Sequence, residues 1–336
     1  MSCCADTEYD FKGIKCVRLE TEKYLAVVSP ETGCGVLRLF DKKNRIEIFR
    51  YRDDCTIGTI NEAREIWGLP TLYLPNRYDG GIIKTSDALY KLPINEKDTG
   101  NFLHGWVHKR VHSVDEAFAD DRKAVVKTSF EHNGSDEMYK YFPLDFRISY
   151  TFTLSDEKGL EQEIRLENKS GKMLPVSLCT HTCINAPMTE GGREDSMRLC
   201  VPVEKKCELD ERFLPTERLL ELSDWDTEYK NGTKRPTLQE ISNDMFTACM
   251  NDLDGKAFYG IVVTDTATGR RILNEVSREF KFWNMWNNDG DKGYFCPEPM
   301  TAMINSPNLS LPGEVSGYAE LAGGESFVCG QRFFTD

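Results

Sequence analysis

Residues 146 to 167, FRISYTFTLSDEKGLEQEIRLE, alternate apolar and polar side chains with a strictness that few backbones besides a β-hairpin can satisfy. Phe146, Ile148, Tyr150, Phe152 and Leu154 fall on one side, and Arg147, Ser149, Thr151 and Thr153 on the other. After the turn SDEKG the pattern resumes, with Leu160, Ile164 and Leu166 set against Glu161, Glu163, Arg165 and Glu167. Successive strand side chains point to opposite faces, so this stretch predicts an antiparallel hairpin with one dry and one wet face. The same period runs through 24–50, 124–132, 258–277 and 280–286, each bounded by Gly, Asp, Asn or Pro turn residues.

Strand after strand joined by hairpins implies an all-β chain, a large antiparallel β-sandwich with a few short peripheral helices. Residues 59–70, TINEAREIWGLP, predict a short helix capped by Thr59 or Asn61 and stopped by Gly68 and Pro70. Residues 216–225, TERLLELSDW, predict another turn or two. From about 188 to 243 the chain is charged and irregular, which reads as a long surface excursion because it has no apolar repeat of its own. No internal repeat or linker marks a boundary, so the expectation is one domain over 1–336.

The net charge of −13, with basic clusters no longer than two residues, argues against nucleic acid and anionic membranes as partners. No window approaches 18 uninterrupted apolar residues, and the start, MSCCADTEYDFKGIK, lacks a basic-then-apolar order. A cytoplasmic location is expected. The 12 cysteines are scattered without a CxxC pair, which predicts reduced thiols rather than a disulfide framework. Cys3–Cys4 and the Cys179/Cys183 pair do not have zinc-finger spacing.

Four places carry candidate chemistry. In CPEP, Glu298 lies between Pro297 and Pro299, which should hold it extended where sheet pairing is interrupted. In HGWVHKRVH, His104, His108 and His112 recur every fourth residue, a spacing that offers a metal site on a helix. The glycine and two valines favour a strand, where imidazoles four residues apart would be separated by about 13 Å, too far to share an ion. His108 and His112 are therefore expected to be surface or lightly buried polar residues, and no metal is expected. His181 ends an alternating run in which Ser177, Cys179 and His181 face away from Val176 and Leu178; a lone imidazole there is either structural or part of a cleft. In LYLPNRYDGG, Asn76 and Arg77 enter a flexible turn that is otherwise an ordinary surface feature.

These fragments gain meaning from their order. PNRYDGG at 75–81, NFLHG ending at Gly105, THTCINAP at 180–187, CPEPMT at 296–301 and LAGGES at 321–326 together resemble the aldose 1-epimerase (galactose mutarotase) family. Its patterns run N-R-I…G, L-H-G, N-H-x-Y-F-N, x-E-P-x-T and L-x-P-G-E. The resemblance implies a mutarotase-like supersandwich with an open sugar cleft and cofactor-free interconversion of the α and β anomers of a free aldose, a hexose such as galactose or glucose or a related sugar. It further implies Glu298 as general base, His181 as general acid, and Arg77, His104 and Asn76 as substrate-binding groups. A family Asp in a D-x-x-F pattern, which binds sugar hydroxyls, falls at Asn243; Asp244, next door, either replaces it or points elsewhere, and both are expected among the substrate-binding groups. Ring opening needs a base for the anomeric hydroxyl and an acid for the ring oxygen, set on opposite sides of one C–O bond.

The sequence departs from the family pattern in HGW for H-G-G, in Thr180 and Cys183 for Asn and Tyr, and in Asn243 for Asp. Acid and base are kept while hydroxyl-reading groups change. A non-catalytic carbohydrate-binding protein on the same fold is the alternative. A sugar phosphate would need Arg77, Lys109 and Arg110 together, but alternation sends Lys109 and Arg110 to opposite faces. The expected partner is a small-molecule sugar, and the sequence is silent on oligomeric state.

Overall fold

The hairpin at 146–167 forms in one unbroken register, the strand Phe146–Ser155 pairing with Gly159–Asn168 from Phe146 with Asn168 to Ser155 with Gly159. It lies inside an eight-stranded antiparallel sheet of a computed structural model that describes residues 3–290 and 292–336. That sheet runs Ser113–Ala119, Lys123–His132, Phe146–Ser155, Gly159–Asn168, Ser326–Thr335, Arg271–Val276, Gly260–Asp265 and Met197–Cys200. A second sheet runs Pro215–Leu220, Val203–Leu209, Asp244–Ala248, Phe282–Trp286, Tyr294–Met300, Cys179–Thr180 and Thr71–Leu72, with Ile184–Asn185 also paired to Tyr294–Met300. A five-stranded sheet of residues 4 to 47 completes the all-β architecture.

The dry faces meet in one core. Phe146, Ile148, Tyr150, Phe152 and Leu154 are all buried, and they share a cluster with Trp283, Met285 and Phe295 of the second sheet and Val28 and Leu39 of the third. Each such side chain contributes about 1.5–3 kcal/mol of burial, so the alternation decides which face closes. Gln162 Nε2 also donates across the layers to Thr71 Oγ1 at 3.0 Å. With Trp283 and Met285 turned inward, period two sends Asn284 and Trp286 to the opposite face of the second sheet, together with Cys296 and Glu298.

Several local expectations are corrected. The helix near residue 60 spans Ile57–Glu62 and is capped by Thr56, whose Oγ1 accepts from the Thr59 amide at 3.1 Å, so neither Thr59 nor Asn61 is the cap. Residues 216–220 are not helical but lie in the edge strand Pro215–Leu220, and the helix begins at Asp224 behind a Ser223–Asp226 capping box. Pairing with Val203–Leu209 outweighs the helix propensity of the leucines. The stretch from 188 to 243 is no irregular excursion, since it supplies an edge strand to the first sheet and two strands to the second. In its edge strand Pro215–Leu220 the alternation is masked because little of either face is buried. Among the described residues no helix is long and apolar enough to cross a membrane.

His108 and His112 are neither surface residues nor part of a strand. Val107–Lys109 is a 3₁₀ turn, His108 is 0% exposed beside Glu65, and His112 is 3% exposed and stacked on Tyr150 at 5.0 Å. The partners that bury them lie far away in sequence, so no local pattern announces the burial. Burial pulls the His108 imidazole down to about 4 and His112 to about 3, against the pull of Glu65 on the first and of the Val107 backbone and Asp115 on the second. A histidine with a depressed folded-state pKa stabilises fully above its unfolded value of about 6.5 and loses that contribution as pH falls below it, at about 1.4 kcal/mol per pH unit. Replacing His112 by Phe should therefore flatten the pH dependence, reducing the stability lost between pH 6.5 and pH 5 by about 2 kcal/mol in urea unfolding. An unaltered slope in His112→Phe would show that this imidazole is not held neutral.

Candidate active site

Strand register builds the centre of the site. Cys179 pairs with Met300 and Ile184 with Phe295, and these two pairs share one register, which sets His181 opposite Glu298 and Cys183 opposite Cys296. On its other side Tyr294–Met300 pairs continuously with Phe282–Trp286, Asn284 opposite Glu298 and Trp286 opposite Cys296. The expected interruption of pairing at CPEP thus falls on one edge only. Strand N–H groups alternate in direction, so Pro297 and Pro299, which have none, face the side where the ladder is open. There the Thr182 amide turns back to the Thr180 carbonyl at 2.8 Å, while the amides of His181 and Cys183 bond to Pro70 and Gly68 at 3.0 and 3.1 Å. Glu298 is held extended by one strand, and His181 by the segment 68–70.

His181 Nε2 lies 3.4 Å from Glu298 Oε1, with side-chain exposures of 4% and 2%. The Cys179 thiol donates to Glu298 Oε2 at 3.8 Å. Both groups line a cavity of about 200 Å³ with Glu65, Ile66, Asn76, Arg77, Leu103, His104, Asn243, Asn284 and Trp286. A wider depression of about 470 Å³ over Thr151, Glu163 and Arg332 has no imidazole in its wall. Chemistry rather than size therefore singles out the smaller cavity.

A two-stranded ribbon brings in the next groups. Arg77–Asp79 pairs with Asn101–Leu103, Arg77 opposite Leu103, so His104 emerges beside Arg77. The turn is tight: the His104 amide bonds to the Asn76 carbonyl at 2.9 Å, and Asn76 and His104 have φ of 54° and 67°. Non-glycine residues seldom adopt such values outside turns and functional sites. Gly105 is required here, because a Cβ would sit 2.2 Å from the Tyr73 carbonyl oxygen. Arg77 donates from Nε and Nη2 to Glu96 at 2.8–3.1 Å and from Nη1 to Asn243 Oδ1 at 3.1 Å, with Phe213 stacked on the guanidinium at 4.6 Å.

Burial acts on His181, Glu298, His104 and Glu65. It disfavours the charged His181 ring, but the Glu298 carboxylate and then Cys183 outweigh it and push the ring up to about 9. Burial pushes Glu298 up to about 7, against the pull of His181. The first shift favours an ion pair and the second a neutral carboxyl. The rise of His181 is the direction that stands, because a carboxylate at 3.4 Å is its nearest partner. Burial and the neighbouring His181 hold His104 well below the usual histidine range, so it is a neutral ring, and its Nδ1 has no hydrogen-bond partner among the described residues. Glu65 is held below the usual carboxylate range: burial opposes this, but the neighbouring His108, 3.8 Å away, and its own backbone prevail.

The sequence reading missed Glu65, Asn284 and Trp286. Asn284 and Trp286 had a signal, because they alternate with Trp283 and Met285 in FKFWNMW and so share the face opposite the core. Glu65 had none, because a helix-end acid is indistinguishable from a solvated one.

With the geometry established, comparison with known proteins gives the lineage. The family model described as aldose 1-epimerase matches residues 15–331, and the chain belongs to that family. A galactose mutarotase-like protein from Clostridium acetobutylicum is similar over 100% of this chain and 99% of its own, at 32% identity and a TM-score of 0.95. A galactose 1-epimerase from Lactobacillus acidophilus matches at 14% identity and a TM-score of 0.73, covering 99% of this chain and 98% of that one. The GalM/aldose epimerase homologue from C. elegans matches at 15% and 0.74, covering 96% and 98%. The last two share the fold.

Asn243 and Asp244 part company. Asn243, at φ 56°, turns its amide into the cavity toward Arg77. Asp244 begins the strand Asp244–Ala248 and points the other way, accepting from Lys206 Nζ at 3.1 Å and from Trp225 Nε1 and Tyr229 Oη at 3.3 Å. The expectation that Asp244 binds substrate fails on this geometry, because alternation along the strand leaves only one of two neighbours facing the cavity. Asp244→Ala would leave Trp225 and Tyr229 without this acceptor, while Lys206 keeps Asp226 at 3.0 Å, and should lower unfolding free energy by about 1–3 kcal/mol in urea titration. Asn243→Gly keeps the backbone conformation and should cost less. Equal losses in the two variants would contradict this division of roles.

Proposed function

We propose that this protein interconverts the α and β anomers of a free aldose, with Glu298 as general base and His181 as general acid. The observation that carries the reading is the pairing of His181 Nε2 with Glu298 Oε1 at 3.4 Å on the wall of a polar cavity. The two groups stand side by side rather than on opposite sides of a bond, and this spacing suits the task. Two oxygens on one carbon lie closer together than that, so carboxylate and imidazole can each reach one of them at once. Glu298 takes the proton of the anomeric hydroxyl while His181 gives one to the ring oxygen, and the bond from the anomeric carbon to that oxygen breaks. The open aldehyde turns about its C1–C2 bond and closes from the other face by the reverse transfers.

The remaining groups support an uncharged sugar. Asn243, Asn284 and neutral His104 present amide and imidazole partners for hydroxyls, and Trp286 offers a flat apolar wall for ring C–H groups. Among the described residues lining the cavity, Arg77 is the only Lys or Arg, and Glu96 already claims two of its donor positions. That leaves little to hold a phosphate. A volume of about 200 Å³ is below the ~300–1,000 Å³ of sites for drug-sized ligands, which suits a single sugar.

The second reading, a carbohydrate-binding protein without catalysis, is favoured by one observation, the amide of Asn243 where the family pattern has an acid. Saturation-transfer NMR across a panel of free aldoses separates the two. Glu298→Gln, which keeps the shape of the side chain, and His181→Asn are each expected to slow exchange by roughly 10²–10⁴-fold. Binding of an aldose with no exchange above the spontaneous rate would support the second reading, and a Gln variant as fast as wild type would remove Glu298 from the mechanism.

A further inference from the structure

On the Nδ1 side of His181, the other side of the ring from Glu298, lie two sulfurs that the proposed reaction does not use. The register that sets His181 opposite Glu298 also sets Cys183 opposite Cys296, and their sulfurs are 3.3 Å apart. Cys183 Sγ is 3.7 Å from His181 Nδ1, and all three atoms lie within 4.8 Å of one another, fully buried or nearly so. None of the twelve cysteines is in a disulfide.

We propose that His181 Nδ1, Cys183 Sγ and Cys296 Sγ form a three-coordinate site for Cu(I), and that its occupation silences the cavity. A point equidistant from three atoms so spaced lies within reach of metal bonds of about 2.3 Å to sulfur and about 2.0 Å to nitrogen. Two thiolates and an imidazole are soft ligands that select Cu(I) or Zn(II) over hard cations. Two features choose copper. Zn(II) takes four ligands, either all from the protein or, in a Cys₂His site, with water in the fourth position; no fourth His, Cys, Asp or Glu joins this cluster among the described residues, and its three residues are 0–3% exposed, away from water. The charge also balances: two thiolates with Cu(I) leave one negative charge, and the Arg50 guanidinium, clamped between Trp67 and Tyr294 at 3.9 and 3.8 Å, lies against the tyrosine that packs with both cysteines.

Loading forms two Cu–S bonds and one Cu–N bond. The two thiol protons and the Nδ1 proton of the charged His181 ring leave to solvent, the Nδ1 lone pair so freed is donated, and copper enters and stays as Cu(I), so no electron moves. Ile66 and Trp286, packed against Cys183, Tyr294 and Cys296, also line the cavity, so one layer of side chains separates the cluster from it. With Nδ1 engaged, His181 can no longer cycle between its charged and neutral forms, an effect that rests on the reading of His181 as the acid.

The test is an anaerobic titration of the reduced full-length protein with Cu(I) held as its coloured bis-bicinchoninate complex. Wild type is expected to withdraw one equivalent with an affinity at least about a hundredfold above that of Cys183→Ser and Cys296→Ser, since loss even of a ligand's supporting partner costs 10–100-fold. X-ray absorption of the loaded wild type, which needs no variant to fold, should show two sulfurs and one nitrogen around copper. Equal affinity in the serine variants, a different ligand set, or tighter binding of Zn(II) than of Cu(I) would each overturn the proposal. Anomer exchange should fall in step with the first equivalent. If the metal-free protein shows no exchange with any aldose, the mutarotase reading fails while the copper titration still reports on this site.

Discussion

One strand register governs this molecule's chemistry. Because Cys179 meets Met300 and Ile184 meets Phe295, the residues between them fall into rows across three strands: Asn284, Glu298 and His181 in one, Trp286, Cys296 and Cys183 in the next. A slip of one residue would send Glu298 into the apolar layer beside Trp283 and Met285, where a carboxylate has no partner. The register is pinned from both sides, by five consecutive pairs with Phe282–Trp286 and by the bond from the Thr301 amide to the Leu178 carbonyl at 2.9 Å. Pro297 and Pro299 keep the open edge from closing, and the backbone of His181 turns to Pro70 instead. The strand is thus fixed on one side and unladdered on the other, as a buried acid facing a buried imidazole requires.

Electrostatics completes what register begins. Removing either member of a buried charge pair leaves the other uncompensated, at a cost of about 3–5 kcal/mol, so Glu298 and His181 hold each other in place. Arg77 is handled in the same way, with Glu96 and Asn243 fixing its guanidinium and Phe213 covering it. The cavity carries paired charges, neutral amides and a neutral His104. Such a polar lining agrees with membership of a sugar-converting family.

Much of this is legible in the sequence. The alternation at 146–167 specifies a hairpin with a dry face, and the burial of Phe146, Ile148, Tyr150, Phe152 and Leu154 follows from it. The run ending at His181 placed Cys179 and His181 on the face away from Leu178, and both now adjoin Glu298. Edge strands were harder to read, because Pro215–Leu220 buries little and its leucines resemble a helix. His108 and His112 were misread because their burial depends on Glu65 and Tyr150, partners that no window of sequence contains.

The sequence alone determined the strand periods, the stiff extended placement of Glu298 and the order of fragments that marks the family. Period two is a property of the backbone, and proline restricts its own neighbours, so both can be read one residue at a time. Tertiary structure alone decided that Asn243 rather than Asp244 enters the cavity, that Glu65 lines it, and that Cys183 meets Cys296 beside His181. Each of those facts depends on how segments separated by tens to more than a hundred residues are brought side by side, and a pairing between distant strands leaves no trace within either strand.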